Sequence, residues 1–302
     1  MTLAFWNAGL EQAGPGQLLA EVTRGDAPAI GTALSMIDAL DADILVLGGV
    51  DYDAGGLALA ALNARLARPF PHLAPLRPNA GLATGFDLDG DGRLGGPGDA
   101  QSFAAFPGQG GMAILSRLPL LPEASRDFTG LLWRDLPGAM LPTLPEGASA
   151  VLRLSSNGHH ETAVALPDGR TLRLLTWHGG APAFDRGTDL NRRRNADETR
   201  FWHLLLTGDL PFPPPEPPFV LIGQANADPQ RGAGDPGPIR ALLSDPRLQD
   251  AIPGETADYG GTVGKLRVSY ILPMAGLRIE EATALPAPEG ARHRPLLLRL
   301  RF

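Results

Sequence analysis

The stretch ADILVLGGVDYD (42–53) determines the layer architecture of this chain more than any other segment. Its apolar run 44–47 has the length and composition of a buried strand. The segment that opens at Pro28 and the segment 57–66 flank this run, and both space their apolar residues three or four apart, as amphipathic helices do. With the apolar stretch 3–6 as a first strand, the order strand, helix, strand, helix favours stacked α/β layers.

Further elements are predicted outward from this segment. Strands are expected at 112–115, at 219–223 (FVLIG), at 268–272 and at 296–300, and a hairpin is expected where 163–166 and 172–176 flank the turn PDGR (167–170). Helices are expected at about 189–206 and at 238–243. Residues 67–110 and 120–150 are rich in glycine and proline and are predicted to be mostly irregular. We expect residues 1–302 to form one domain.

Composition and charge exclude several classes of protein. Hydrophobic residues make up 43% and charged residues 20% of the 302 residues, which predicts a packed core. The net charge of −7 argues against binding to duplex nucleic acid, which needs a basic surface. The absence of cysteine excludes disulfides and thiolate metal sites. No apolar run is long enough to span a membrane. The start MTLAFWNAGL lacks a basic region followed by an apolar one, which predicts a cytoplasmic protein.

An acidic, glycine-rich loop, DLDGDGRLGGPGD (87–99), is the one place where carboxylates gather. Three aspartates alternate, and Gly92 follows where a calcium loop must bend sharply. The predicted ligands of a structural Ca²⁺ are the carboxylates of Asp87, Asp89, Asp91 and Asp99 and the carbonyl of Arg93. The loop departs from the calcium pattern because its final acid would fall on Gly98, one residue before Asp99. The alternative is a solvated acidic turn.

Several short segments follow one another in an order that resembles the endonuclease/exonuclease/phosphatase superfamily. They are FWNAG (5–9), ADILVLGGVDYD (42–53), GGMAILSRLPL (110–120), LLTWHGG (174–180), FVLIGQANADP (219–229), LRVSYILP (266–273) and RHRPLLL (292–298). The segments around the acidic loop resemble a bacterial branch of that superfamily. The resemblance implies a four-layer α/β/β/α sandwich of two mixed β-sheets flanked by helices. It also implies Mg²⁺-dependent hydrolysis of phosphoesters, in which cations and donors stabilise charge on phosphoryl oxygens.

Some positions carry the residue that the superfamily uses. The resemblance assigns Asn7 to the asparagine on the first strand and His178 to a histidine that contacts phosphate. It assigns Asn226 to the asparagine of the G-D-x-N pattern and His293 to the final histidine.

At four positions where the superfamily carries an acid, this chain has a different residue. They are Gly49, Gln224, Ser269 and Arg292. Because Mg²⁺ prefers oxygen ligands with at least one carboxylate, magnesium binding is doubtful here. Arg292 is expected to lower the pKa of His293, since like charge disfavours the imidazolium. We therefore expect hydrolysis to be weak or lost, as in a pseudoenzyme, and a phosphate-like anion or a partner to bind to the remaining donors. The sequence names no protein partner.

Other interpretations stay open. If the alignment is displaced by one or two residues, Asp51, Asp53, Asp228 or Asp258 would hold a metal in an active phosphodiesterase or phosphatase. His178 could also be a structural histidine. On the helix 189–206, Asp189, Arg193, Asp197 and Arg200 predict a charged, solvated face. The alternative is that Asn191, Arg194 or Asn195 enters the pocket beside His178.

Overall fold

The computed structural model describes residues 1–184 and 187–301. Two mixed β-sheets dominate it, one with strands in the order β12-β13-β1-β2-β4-β3 and the other in the order β11-β8-β7-β6-β5. Strands β9 and β10 form a separate pair. The strands are β1 Thr2–Asn7, β2 Ile44–Val50, β3 His72–Leu76, β4 Gly111–Ser116, β5 Arg126–Asp127, β6 Gly158–Ala165, β7 Thr171–His178, β8 Phe219–Gln224, β9 Ala257–Asp258, β10 Lys265–Leu266, β11 Ser269–Pro273, β12 Arg278–Ala284 and β13 Leu296–Arg301.

Helices cover the outer faces of the two sheets. They are α1 Gln17–Arg24, α2 Pro28–Leu40, α3 Leu57–Ala64, α4 Leu190–Thr207 and α5 Pro236–Leu243. Short 3-10 helices lie in the long connections, at Pro97–Asp99, Pro122–Ala124, Trp133–Asp135 and Ala148–Ala150. No helix in the part of the chain that the structure describes is long and apolar enough to cross a membrane.

The alternation of side chains along β1 shows how the layers stack. Leu3 and Phe5 face the second sheet and pack in a central apolar cluster with Val220 and Ile222 of β8. Ala4 and Trp6 point to the other face, where they pack with the buried residues of α1, α2 and α3. On the far side of the second sheet, α4 and α5 bury a third cluster. Because strand side chains alternate between faces, one strand serves two cores, and the predicted four-layer sandwich is confirmed.

Most predicted elements are present, but three elements of five or more residues were missed. Strand β3 lies inside the segment 67–110 that the sequence predicts to be irregular, and it contains Pro75 at the edge of the first sheet. Helix α1 follows the turn-forming residues 14–16, which obscure its start. Strand β12 is an edge strand whose side chains are mostly solvent-accessible, so its sequence RIEEATA does not show a buried apolar run.

The topology brings the predicted functional residues to one end of the sandwich. Strands β1 and β2 are parallel, as are β7 and β8, so each pair ends on the same side. Asn7 is the last residue of β1, His178 the last of β7 and Gln224 the last of β8. Ser269 begins β11, which is antiparallel to β8. The four residues therefore meet where the two sheets approach each other.

Candidate functional site

A row of three side chains crosses the end of the second sheet. His178 pairs with Gln224 in the register of β7 and β8, and Gln224 pairs with Ser269 in the register of β8 and β11. Residues paired directly across neighbouring strands project from the same face of a sheet. Because Gln224 contacts Asn7 of the first sheet, all three side chains of this row face the first sheet.

A chain of amide hydrogen bonds joins the two sheets at this row. Asn7 Nδ2 donates to Gln224 Oε1 at 2.8 Å, and Gln224 Nε2 donates to Asn226 Oδ1 at 2.8 Å. Asn226 Nδ2 then donates to the carbonyl of Gly179 at 2.8 Å. Asn7 Oδ1 accepts from Gly9 N at 3.0 Å. We call this series, from Asn7 through Gln224 and Asn226 to Gly179, the amide chain. Each of its three side chains has partners for both its oxygen and its nitrogen.

Gly49 lies beside the amide chain and leaves room for it. It forms a bulge in β2 with a φ of 63°, which favours glycine. A Cβ built there would overlap Asn7 Oδ1 and would lie 3.0 Å from both Asn7 Cγ and Gly9 N. The space that a longer side chain at position 49 would need is therefore filled by Asn7.

The two histidines of the site are buried and neutral at physiological pH. His178 is 7% exposed and His293 is 8% exposed. Burial, with a smaller contribution from the nearby His293, lowers the pKa of His178 to about 4. Burial also lowers the pKa of His293 to about 4, with a smaller contribution from Arg292 in the direction that the sequence predicts. The Nδ1 atoms of both rings and the Oγ of Ser269 are buried without a hydrogen-bond partner.

Charged groups border the histidines on the solvent side. Arg292 is exposed, and its guanidinium lies 5.0 Å from the centre of the Tyr259 ring. Glu11, in the loop after β1, is a carboxylate that the sequence motifs did not single out. Part of the Glu11 side chain is exposed, but desolvation by the surrounding protein raises its pKa. The nearby Asp51 also raises the pKa of Glu11, whereas a backbone hydrogen bond and Arg292 lower it. Its only sequence signal is its place in a loop that follows a strand end.

The aspartates proposed as alternative metal ligands accept hydrogen bonds from backbone amides. Asp51 accepts from Gln12 N and Gly110 N, each at 3.0 Å. Asp53 accepts hydrogen bonds from Leu57 N and Ala58 N, and Asp258 accepts one from Gly260 N. Asp228 accepts hydrogen bonds from the backbone N–H groups of Gln230, Arg231 and Arg267. None of them belongs to a group of three or more potential metal ligands within residues 1–184 and 187–301.

Helix α4 positions the loop that follows His178. Asn195 Nδ2 donates to the carbonyl of Gly180 at 2.7 Å, and the Glu198 carboxylate accepts from Gly180 N at 2.7 Å and from Ser156 N at 2.5 Å. Glu198 is fully buried, and burial raises its pKa while Arg194 lowers it. Arg194 is 4% exposed and donates to four backbone carbonyls, those of Gln101, Arg153, Leu154 and Ser155.

The prediction that α4 has a charged, solvated face is therefore wrong over much of the helix. Asp189 and Arg193 do form an exposed pair at 3.5 Å. Asp197, however, is fully buried, where it accepts from Trp133 Nε1 and from Met140 N, each at 2.7 Å. Buried polar groups of this kind are tolerated because each finds a partner, which helical spacing alone does not reveal.

The acidic loop brings three of its carboxylates together. Oxygens of Asp87, Asp89 and Asp99 lie within 4.8 Å of one another, the only such group in the described part of the chain. Asp91 lies outside this group and accepts from Arg93 N at 2.8 Å. A Cβ on Gly98 would overlap the Asp89 carboxylate, with Asp89 Cγ only 2.7 Å away. This contact explains why glycine occupies position 98.

The chain belongs to the Endonuclease/Exonuclease/phosphatase family, whose sequence model matches residues 4–293. The resemblance inferred from the ordered motifs is thereby confirmed. No curated protein matches the chain.

Solved structures agree on the fold. A family protein from Leptotrichia buccalis aligns over 100% of both chains with a TM-score of 0.58 and 14% identity. The human Nocturnin catalytic domain, solved with a bound sulfate anion, aligns over 100% of this chain and 94% of its own with a TM-score of 0.57 and 15% identity. Sphingomyelinase C from Streptomyces griseocarneus aligns over 99% of this chain and 98% of its own with a TM-score of 0.53 and 17% identity.

Proposed function

We propose that this chain binds a phosphate-like anion at the row His178, Gln224 and Ser269 together with His293, and that it does not carry out metal-dependent hydrolysis. The observation that supports this most is the set of unpartnered polar atoms, which are the Nδ1 atoms of both histidines and Ser269 Oγ. Buried polar atoms normally have partners, so the lack of partners at these three neighbouring residues favours a small polar ligand. Arg292 at the rim adds a positive charge, and the bound sulfate in Nocturnin makes anion binding plausible for this fold.

A magnesium ion does not fit the residues at this site. Mg²⁺ requires oxygen ligands, usually including carboxylates. Here the amide oxygens of Asn7, Gln224 and Asn226 already accept hydrogen bonds within the amide chain or from Gly9. Position 49 offers no side chain, and neither Glu11 nor Asp51 belongs to a group of three potential metal ligands in the described part of the chain. The residues of this site therefore provide no place for a metal-dependent catalytic step.

Calorimetric titration with inorganic phosphate in a metal chelator tests the proposal. We expect saturable binding by the native protein and a loss of binding of about tenfold or more in His178→Ala and in His293→Ala, since each removes an imidazole from the proposed site. His72→Ala, on the distant edge strand β3, is the matched control and should bind like the native protein. Absence of phosphate binding in the native protein would contradict the proposal.

We also propose that the acidic loop binds Ca²⁺ through Asp87, Asp89 and Asp99. Three carboxylates within 4.8 Å repel one another unless a cation is present, and oxygen ligands suit calcium. Asp91 and the carbonyl of Arg93 remain candidates for additional ligands. Such an ion would hold a long loop in one conformation and would take no part in the chemistry of the anion site.

A further inference from the structure

A cavity of about 450 Å³ lies among the loop after β2, the first residues of α1 and α3, and the segments after β3 and before β4. Its volume falls in the range of small-molecule sites, roughly 300–1,000 Å³. None of His178, Gln224, Ser269 and His293 lines it. The cavity is therefore separate from the proposed anion site.

Much of the wall of this cavity is apolar. Leu19, Leu57, Leu82 and Phe106 line it, and Leu57 is 58% exposed. A ligand with apolar side chains would cover these residues and remove apolar surface from water, which favours binding.

The cavity also has charged groups of both signs. Asp51 and Asp53 line it after the end of β2, and Arg77 lines it directly after the end of β3. Arg77 is exposed and forms no hydrogen bond or ion pair with the residues that the structure describes. Its guanidinium is therefore available to an anionic group of a ligand, and a carboxylate matches its geometry.

The two aspartates have the capacity to bind a cationic group. Each accepts two hydrogen bonds from backbone N–H groups, and neither forms an ion pair with a described residue. An ionised carboxylate has about four acceptor sites, so Asp51 and Asp53 can each accept further hydrogen bonds from an ammonium group.

The first sheet sets the distance between these charges. Strands β2 and β3 both pair antiparallel with β4, which lies between them, so they are parallel and end on the same side. Neighbouring strands are about 4.8 Å apart, which places the ends of β2 and β3 about 10 Å apart. An extended dipeptide is about 7 Å long, so the Asp51 and Arg77 side chains can reach its two charged ends. A single amino acid has only about half this length.

We propose that this cavity binds a dipeptide with apolar side chains. Its N-terminal ammonium binds to Asp51 and Asp53, its C-terminal carboxylate binds to Arg77, and its side chains pack against Leu57 and Phe106. Binding here does not depend on the anion site.

Calorimetric titrations with L-leucyl-L-leucine, with its N-acetyl form and with its C-terminal amide test this inference. We expect the native protein to bind the free dipeptide saturably. Each blocked form should bind about tenfold or more weakly, because each block removes a charged hydrogen-bond partner.

Three variants identify the residues that bind the dipeptide. Arg77→Gln should bind the free dipeptide about tenfold or more weakly and should no longer distinguish it from the amide. Ala54→Trp, which places a large ring in the cavity wall, should abolish binding. Both positions are exposed, so both variants should fold. Arg134→Gln changes an exposed arginine outside the cavity and is the matched control, which should bind like the native protein.

Three results would each overturn the inference. In the first, the native protein does not bind the free dipeptide. In the second, either blocked form binds as tightly as the free dipeptide. In the third, Arg77→Gln keeps the preference for the free dipeptide over the amide. A failure of phosphate to bind at His178 and His293 would leave these results unaffected, because the two sites share no residue.

Discussion

At the end of the first sheet, the side chain of Asn7 occupies the space that a side chain at position 49 would need. The Asn7 side chain lies where a Cβ on residue 49 would be, and Gly49 has a backbone conformation that favours glycine. A carboxylate at position 49 and the present position of Asn7 therefore exclude each other. The identity of residue 49 is coupled in this way to the hydrogen bonds of the neighbouring Asn7 amide.

Gly49→Ala should destabilise the protein by about 2 kcal/mol or more, because the added Cβ overlaps Asn7 and the backbone conformation is strained for alanine. Gly169→Ala is the control, since Gly169 also has a positive φ, of 87°, but an added Cβ there would meet no other atom within 4 Å. It should lose only about 1 kcal/mol from backbone strain. Equal losses in urea denaturation would show that the overlap with Asn7 costs nothing.

At the residue scale, the sequence predicts identities better than contacts. It assigns Asn7, His178, Asn226 and His293 to positions of the family site and predicts a replaced acid at Gln224, because these residues stand in recognisable motifs. It does not predict that Gln224 bonds to both asparagines, because the partners are far apart along the chain and meet only when the two sheets pack. Glu11 was missed for the same reason.

Helix α4 carries buried charges that hold the loop after His178. Glu198 accepts two backbone N–H groups, and removing it would leave Gly180 N and Ser156 N without this acceptor. Glu198→Ala should therefore lower the free energy of unfolding by about 3 kcal/mol or more, as expected when a buried charged partner is removed. Glu216→Ala, at an exposed position, should change it by less than about 1 kcal/mol. A small loss in Glu198→Ala would contradict the positioning role.

The acidic loop gives a prediction for metal binding. If calcium is present at about 100 times its dissociation constant, we expect a stabilisation of about 2.7 kcal/mol, which a thermal melt detects as a rise in melting temperature. Asp99→Asn should reduce this rise, while Asp26→Asn, at an exposed position outside the loop, should retain it. An unchanged melting temperature in calcium and in chelator would contradict the calcium proposal.

At the element scale, prediction works where a strand or helix buries a clear apolar pattern. Strand β2 and helix α2 show this, since a continuous apolar run and a spacing of three or four identify them. Strand β12 fails because most of its side chains are solvent-accessible at a sheet edge. Helix α4 was located correctly, but its buried charges were not foreseen because their partners lie in loops distant in sequence.

The whole molecule buries several neutral histidines, which makes its stability depend on pH. Burial lowers the pKa of His159 to about 3 and of His178 and His293 to about 4, against 6.5 for an unperturbed histidine. Between these values the unfolded chain binds more protons than the folded one, so the free energy of unfolding falls as the pH falls from about 6.5 towards 4. Each of the three histidines lowers the free energy of unfolding by about 2 kcal/mol at pH 4.5.

Urea denaturation at pH 7 and pH 4.5 measures this dependence. We expect His293→Gln to lose less stability on acidification than the native protein, because it has one fewer buried imidazole to protonate. His72→Gln serves as the control and should retain the full dependence. A loss of stability in His293→Gln as large as that of the native protein would contradict the burial of a neutral imidazole at His293.

The chain has the family fold, and we propose that its site at His178 and His293 does not use magnesium for hydrolysis. Cleavage of bis-p-nitrophenyl phosphate, followed with and without Mg²⁺ in the native protein and in His178→Ala, tests it most directly. We expect that magnesium does not raise the rate and that both proteins are indistinguishable from buffer. Robust magnesium-dependent cleavage that His178→Ala abolishes would contradict it.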